Sequence, residues 1–247
     1  VSLLHAARLL AVLAHLLRGL AICTLGFPWM RRDRRLACVR RWSAQLLRIF
    51  RVSVELAPGS APATHGLWVA NHVSWIDVFV INAMFPSRFV AKSEVLGWPL
   101  VGILSARAGT LFVTRAQRRG LRDTVTALSA ALENGERVVV FPEGTSAAQG
   151  AMRPFRANLF EAAVATHVAV QPVAIRYLDP DGHFHSGVEY IGDMSLVESI
   201  IVLLSGKPVC AQIATMTPLS ACGTHRRELA EQAHDAIQGC LDPHAVV

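Results

Sequence analysis

Charged residues make up only 17% of these 247 residues, and lysine occurs at just two positions, Lys92 and Lys207. With 52% hydrophobic residues and a mean hydropathy of +0.38, so little charge excludes a disordered chain. It is also apolar for a freely soluble enzyme. None of the five cysteines (Cys23, Cys38, Cys210, Cys222, Cys240) falls in a CxxC pair or a metal-ligand spacing. They read as small core hydrophobes in a reducing compartment, and no metal is expected. The sequence has no G-x-S-x-G, hence no serine-hydrolase elbow. It has no H-E-x-x-H and no G-x-G-x-x-G, which removes the zinc-protease and dinucleotide-binding signatures. No internal repeat or low-complexity linker divides the chain.

The net charge is +6, almost all of it from arginine, and the pI is near 9.5. Such a balance calls for an acidic partner: anionic lipid, nucleic acid or a phosphorylated metabolite. Arginine forks suit phosphate, although genomic composition gives the same skew. Nucleic acid is disfavoured as the partner, because the arginines cluster in an amphipathic stretch with little aromatic interleaving.

Residues 1–30 are rich in Leu and Ala but carry Arg8 and Arg18. Their longest charge-free run, Gly19–Met30, is too short to cross about 30 Å of hydrocarbon, and no clear Ala-x-Ala cleavage site follows. From Asp33 onward Leu36, Val39, Trp42, Leu46 and Ile49 recur at steps of three and four, with Arg34, Arg35, Arg40, Arg41 and Arg48 between them. That is the pattern of an interfacial membrane helix. Phe27-Pro28 separates the two apolar segments, so residues 1–51 are expected to form a membrane-associated helical hairpin dipping into one leaflet. Arg31, Arg32, Arg34 and Arg35 would then meet anionic headgroups.

Beyond Phe50 short β-rich runs alternate with helical ones. Strands are expected at 52–56, 67–70, 88–92, 110–114, 137–141, 169–177 and 208–215. Leu121, Val125, Leu128 and Leu132 follow the helix period, ended by Asn134-Gly135, and so do Leu229, Ala233, Ile237 and Leu241. Ser195-Leu196-Val197-Glu198 is a capping box ahead of Ile200–Leu204. This alternation predicts an α/β fold with a mixed, largely parallel sheet flanked by helices, one catalytic domain over 52–247.

Four segments carry candidate chemistry. Asn71-His72-Val73-Ser74-Trp75-Ile76-Asp77 follows a strand and opens a helix, with Ser74 the expected N-cap. Histidine accepts a proton near neutral pH if a carboxylate holds its other ring nitrogen. On one ideal helix His72 and Asp77 would point about 140° apart, so they meet only if His72 precedes the helix and the chain turns back. The second segment, Gly109–Arg115, is a strand containing Phe112 and ending in an arginine, with Arg118, Arg119 and Arg122 after it. Arginines in a first helical turn oppose the dipole unless an anion is bound, and Arg115 is the candidate phosphate ligand. Phe141-Pro142-Glu143-Gly144-Thr145 leaves a strand through a tight turn that would present Glu143 and backbone amides. Val168–Val173 is an apolar strand whose Pro172 predicts an edge or a bulge. His183-Phe184-His185, after Asp179-Pro180-Asp181-Gly182, reads as a surface loop rather than a metal site.

In this order the segments resemble the glycerolipid acyltransferase family, typified by lysophosphatidic acid acyltransferase, whose motifs are NHxSxxD, GxxF[IV]xR, FPEGT and V-x-[IV]-x-P-[VI]. They match at Asn71–Asp77, Gly109–Arg115, Phe141–Thr145 and Val168–Val173. The resemblance implies that His72, oriented by Asp77, deprotonates the hydroxyl of a lysophospholipid. That hydroxyl then attacks the thioester of acyl-CoA or acyl-carrier protein, with no resident cofactor and no acyl-enzyme. It further implies Arg115 on the acceptor phosphate, with Gly109, Phe112, Glu143, Gly144 and Thr145 about the acceptor and Lys92 as a secondary phosphate contact. The setting it implies is the cytoplasmic face of a membrane, as in a bacterial inner membrane.

The family commonly continues FPEGT with Arg-Ser; here Ser146-Ala147 follows. Lysophosphatidic acid, giving phosphatidic acid, is the first expected acceptor. Lyso-ornithine lipid is the alternative, because branches acting on it also lack that Arg. A reading of another class is a non-catalytic membrane-binding protein on the same fold, against which stands the retention of both His72 and Asp77.

Overall fold

In the computed structural model, which describes residues 3–113 and 118–242, seven strands form one sheet in the order β1-β7-β6-β2-β5-β3-β4. They are β1 (Val52–Leu56), β2 (Gly66–Ala70), β3 (Arg88–Lys92), β4 (Leu111–Val113), β5 (Arg137–Val140), β6 (Val170–Leu178) and β7 (Val209–Thr215). Each expected strand is present, with ends moved by at most two residues. All neighbours pair parallel except β6 and β7. Five strands therefore run one way and the β1–β7 pair runs the other.

The helices are α1 (Leu3–Ala21), α2 (Arg32–Ile49), α3 (Asp77–Met84), α4 (Val101–Arg107), α5 (Arg118–Glu133), α6 (Glu161–Thr166), α7 (Leu196–Ser205) and α8 (Arg226–Leu241). Strand alternation divides the core into two layers. Trp68 and Ala70 of β2 face a cluster with Val12 of α1, Leu46 and Leu47 of α2, Val80 and Ile81 of α3, and Leu203 and Leu204 of α7. Leu67 and Val69 face the other way, onto Leu128 of α5, Ala162 of α6 and Ile237 of α8. Both capping-box bonds predicted at Ser195 and Glu198 are made at the start of α7.

Pro172 is not on an edge. Its strand β6 lies inside the sheet, between β7 and β2. The ladder opposite is irregular instead: Val173 pairs with Thr215 but Val170 bridges to Leu219, an extra residue on the β7 side. The missing proline N–H falls where the antiparallel pairing is already interrupted.

At the N-terminus α1 runs on through a π-type turn (Ile22–Gly26) and a short 3₁₀ turn (Phe27–Trp29) before the chain extends at Met30. The helical stretch Ala6–Trp29 has 24 residues and a mean hydropathy of 1.9; among the described residues it alone is long and apolar enough to cross a membrane. At 1.5 Å per residue it measures about 36 Å. The charge-free run alone therefore underestimated the apolar length. Arg18 reaches Gln45 of α2 at 2.9 Å, so it does not interrupt the helix as an unpartnered charge.

α2 packs back on α1. The His15 and Trp42 rings stack at 4.6 Å, and each ring N–H donates to the other residue's backbone carbonyl. Gly19 makes this approach possible, since a Cβ there would lie 2.5 Å from the Trp42 Nε1. Arg31, Arg32, Arg34, Arg35, Arg40, Arg41 and Arg48 are exposed, while Leu46, Leu47 and Phe50 enter the core beneath the sheet. The expected boundary near residue 51 is thus bridged by packing.

Candidate active site

The parallel strands deliver their functional loops to one edge, because β2, β5, β6 and β3 all end there. Just past β2, the Asn71 side chain acts as one more strand residue. Its Nδ2 donates to the Ile175 carbonyl at 2.9 Å, and its Oδ1 accepts the Ile175 N–H at 2.7 Å. This buried amide fixes where the next residue, His72, leaves the sheet.

His72 lies before α3, as its pairing requires, but Ser74 does not cap that helix. Ser74 Oγ is buried without a hydrogen-bond partner, and α3 starts three residues later at Asp77. The Asp77 carboxylate performs the turn instead. Its Oδ2 accepts from Val73 N at 2.8 Å, Ser74 N at 3.0 Å and His72 Nδ1 at 2.7 Å. A serine hydroxyl could gather the amides but not the imidazole as well; a carboxylate has lone pairs for all three. Asp77 is fully buried and His72 is 21% exposed. With Nδ1–H held by the carboxylate, Nε2 is the ring nitrogen left for chemistry.

A residue that sequence reading passed over completes the pair. Tyr177, fully buried near the end of β6, donates its hydroxyl to Asp77 Oδ1 at 2.5 Å. Burial, and then the adjacent carboxylate, push the Tyr177 hydroxyl well above its ordinary pKa, so it stays a donor. Asp77 therefore receives four donors, two from side chains and two from the backbone. The one hint in the sequence is that Tyr177 is one of only two tyrosines, near the end of a largely apolar strand.

The loop after β5 supports His72 from beneath. Phe141 stacks on the His72 ring, centroids 4.2 Å apart at 16°. Gly144 takes φ +77°, open to glycine, and its N–H donates to the Phe141 carbonyl at 3.0 Å to close the turn. Glu143 is not presented at the sheet edge. It is 3% exposed, its Oε1 accepts His72 N at 2.8 Å and its Oε2 accepts Arg153 N at 2.8 Å. Turning inward satisfies two amides that would otherwise be orphaned. Burial raises its pKa against the opposing pull of those two bonds.

His72 stands on the wall of a cavity of about 740 Å³ between the sheet edge and the N-terminal helices. Its lining is mostly apolar, including Leu16, Val39, Trp42, Phe79, Leu104 and Leu159. Lys92, Gly144, Thr145 and Ser146 line it too. Glu143, Gly109 and Phe112 do not; Gly109 sits at φ +89° where the chain turns from α4 into β4, so its contribution is to the backbone. Arg115 lies outside the described residues, as do the side chains of Arg118 and Arg119, and Arg122 is exposed on α5. Ser146 donates to the Tyr190 carbonyl. His183 and His185 belong to a loop organised by Asp179, and no metal-binding cluster occurs among the described residues.

A dyad facing an apolar cavity can remove a proton from a hydroxyl held beside an acyl chain. Comparison with known proteins gives the same direction. Residues 51–176 match the family model described as Acyltransferase. The chain is 38% identical over 205 residues, 82% of its length and 77% of the relative's, to a lyso-ornithine lipid O-acyltransferase of Pseudomonas aeruginosa. It is 40% identical over 132 residues to a 1-acyl-sn-glycerol-3-phosphate acyltransferase of Neisseria gonorrhoeae, covering 53% of this chain and 52% of that one. Its fold resembles the crystal structure of the 1-acyl-sn-glycerophosphate acyltransferase PlsC from Thermotoga maritima, with TM-score 0.61 over 95% of this chain and 96% of that one; at 22% identity the likeness is one of fold.

Proposed function

The chain belongs to the acyltransferase family, and from that premise we propose that it esterifies the free hydroxyl of a membrane lysolipid from an acyl thioester, with His72 as general base. The observation that carries this is the His72–Asp77 pair, 2.7 Å apart, on the wall of an apolar cavity large enough for an acyl chain. His72 Nε2 takes the acceptor proton as the hydroxyl oxygen bonds to the thioester carbonyl carbon. The tetrahedral adduct then collapses, the C–S bond breaks, and the leaving thiolate takes the proton from the imidazolium. Asp77 stabilises that imidazolium, and its four hydrogen bonds keep it aligned. The thioester is carried by coenzyme A or acyl-carrier protein, and no resident cofactor or metal takes part.

Lyso-ornithine lipid is the acceptor we favour. Sequence motifs alone rank lysophosphatidic acid first. The order is reversed by the extent of similarity to the Pseudomonas protein of that name, with which Ser146 in the place of the family's arginine agrees. The second reading, lysophosphatidic acid, rests on the Gly109–Arg115 motif and the Neisseria relative. Both acceptors sit in a bilayer and both donors are cytoplasmic, which puts the protein on the cytoplasmic face of a membrane, held by α1 and α2.

Purified full-length protein offered both lysolipids together, with products identified by mass spectrometry, should yield mainly the diacylated ornithine lipid. His72→Ala should lower the rate about 10²–10⁴-fold. Unimpaired acyl transfer by that variant removes the mechanism; a preference for lysophosphatidic acid reverses the acceptor order.

A further inference from the structure

Helix α7 is apolar on two sides. Its inner residues Leu196 and Ile200 line the cavity that reaches His72, and Leu203 and Leu204 are buried in the core. Its outer row, Val197, Ile201 and Val202, is 65%, 47% and 40% exposed. A helix packed on a soluble protein normally carries charge on that row. Here the one charge on α7 is Glu198, whose carboxylate is engaged in the capping box at the helix start. Apolar rows left open in this way mark contact surfaces.

The neighbouring elements indicate what is contacted. α7 lies beside α1: Val12 of α1 shares a core cluster with Leu203 and Leu204, and Arg8 of α1 donates to the Leu204 carbonyl at 2.8 Å. Two adjacent helices that bury one face in the same core turn their opposite faces to the same side. On α1 that side carries Leu10, Leu13 and Leu17, 66%, 46% and 49% exposed. The outer row of α7 thus extends the apolar surface of the helix that is long and apolar enough to enter a bilayer. α7 is also tied to the catalytic loop, since Trp75 Nε1 donates to the buried Ser199 Oγ at 2.9 Å.

We propose that α7 is a second membrane-docking element, its Val197–Ile201–Val202 row resting in the hydrocarbon of the leaflet that receives α1. α7 is then the wall between that leaflet and the acyl cavity. This rests on the reading that the acceptor is a membrane lipid, but it concerns docking and is measured apart from turnover.

The test uses the full chain and vesicles of phosphatidylethanolamine and phosphatidylglycerol. Val197→Lys/Ile201→Lys should weaken vesicle partitioning at least about tenfold, a factor reached when only about two of the seven apolar side-chain carbons leave the hydrocarbon. Turnover on vesicle-borne lysolipid should fall in step, while turnover on a short-chain, monomeric lysolipid stays within about twofold. Unchanged partitioning overturns the proposal. So does an equal loss on the monomeric acceptor, which would mean the row supports the fold, or a wild-type dimer that the variant dissociates, which would make the row a subunit contact. Absence of turnover in every arm would count against the proposed activity, and partitioning would still decide the docking.

Discussion

Replacing Tyr177 with phenylalanine removes one oxygen from a buried site and leaves the volume almost unchanged. The lost bond is the 2.5 Å donation to Asp77 Oδ1; the three remaining donors all converge on Oδ2. A hydrogen bond to a charged group contributes about 1.5–3 kcal/mol. That bond exists both before and during proton transfer, so most of its loss should appear as reduced stability, about 1–3 kcal/mol. Only the loosening of Asp77 against His72 reaches the rate, and we expect kcat to fall about 5–20-fold, or ~1–2 kcal/mol. That is well below the loss from removing the base itself. Both KM values should hold within about threefold, since Tyr177 does not line the cavity. Steady-state thiol release, with acceptor and donor varied in turn, separates the two parameters. A variant with wild-type kcat, or one changed only in KM, would refute the role given to Tyr177. Because its pKa lies well above 10.0, the wild type should also show no loss of activity from tyrosine ionisation as pH approaches 10.

Asn71→Ala deletes two bonds to the Ile175 backbone and leaves its N–H and carbonyl unpaired in the core. A loss of about 2–4 kcal/mol follows, seen as a thermal midpoint roughly 5–15 °C lower. Glu143 offers a pH test. Its folded-state pKa is raised above 4.5, so between 4.5 and the raised value the native protein holds a proton that the unfolded chain has released. Stability from this group is therefore greatest at low pH and declines as pH rises through that window. The advantage of wild type over Glu143→Gln in thermal unfolding should shrink from acid toward neutral pH. An advantage that grows instead would mean that the two amide bonds outweigh burial.

The sequence by itself determined the local elements and singled out His72 and Asp77 as a candidate pair. Period-two and period-3.6 patterns place strands and helices because side-chain burial obeys local backbone geometry. The capping box at Ser195 was equally legible, since its partners are three residues apart. Contacts between distant residues were not. Tyr177 lies 100 residues from Asp77 and Ile175 lies 104 from Asn71, and only the parallel pairing of β2 with β6 brings them together. Pro172 signalled an edge or a bulge, and the sequence could not choose between them, because it shows a missing donor but not whether the neighbouring strand has already slipped. Glu143 looked like a presented acid because a turn sequence gives the bend and not the side on which amides await an acceptor. Which residues hold His72 in place was decided by the sheet, since register between remote strands depends on the whole core packing at once.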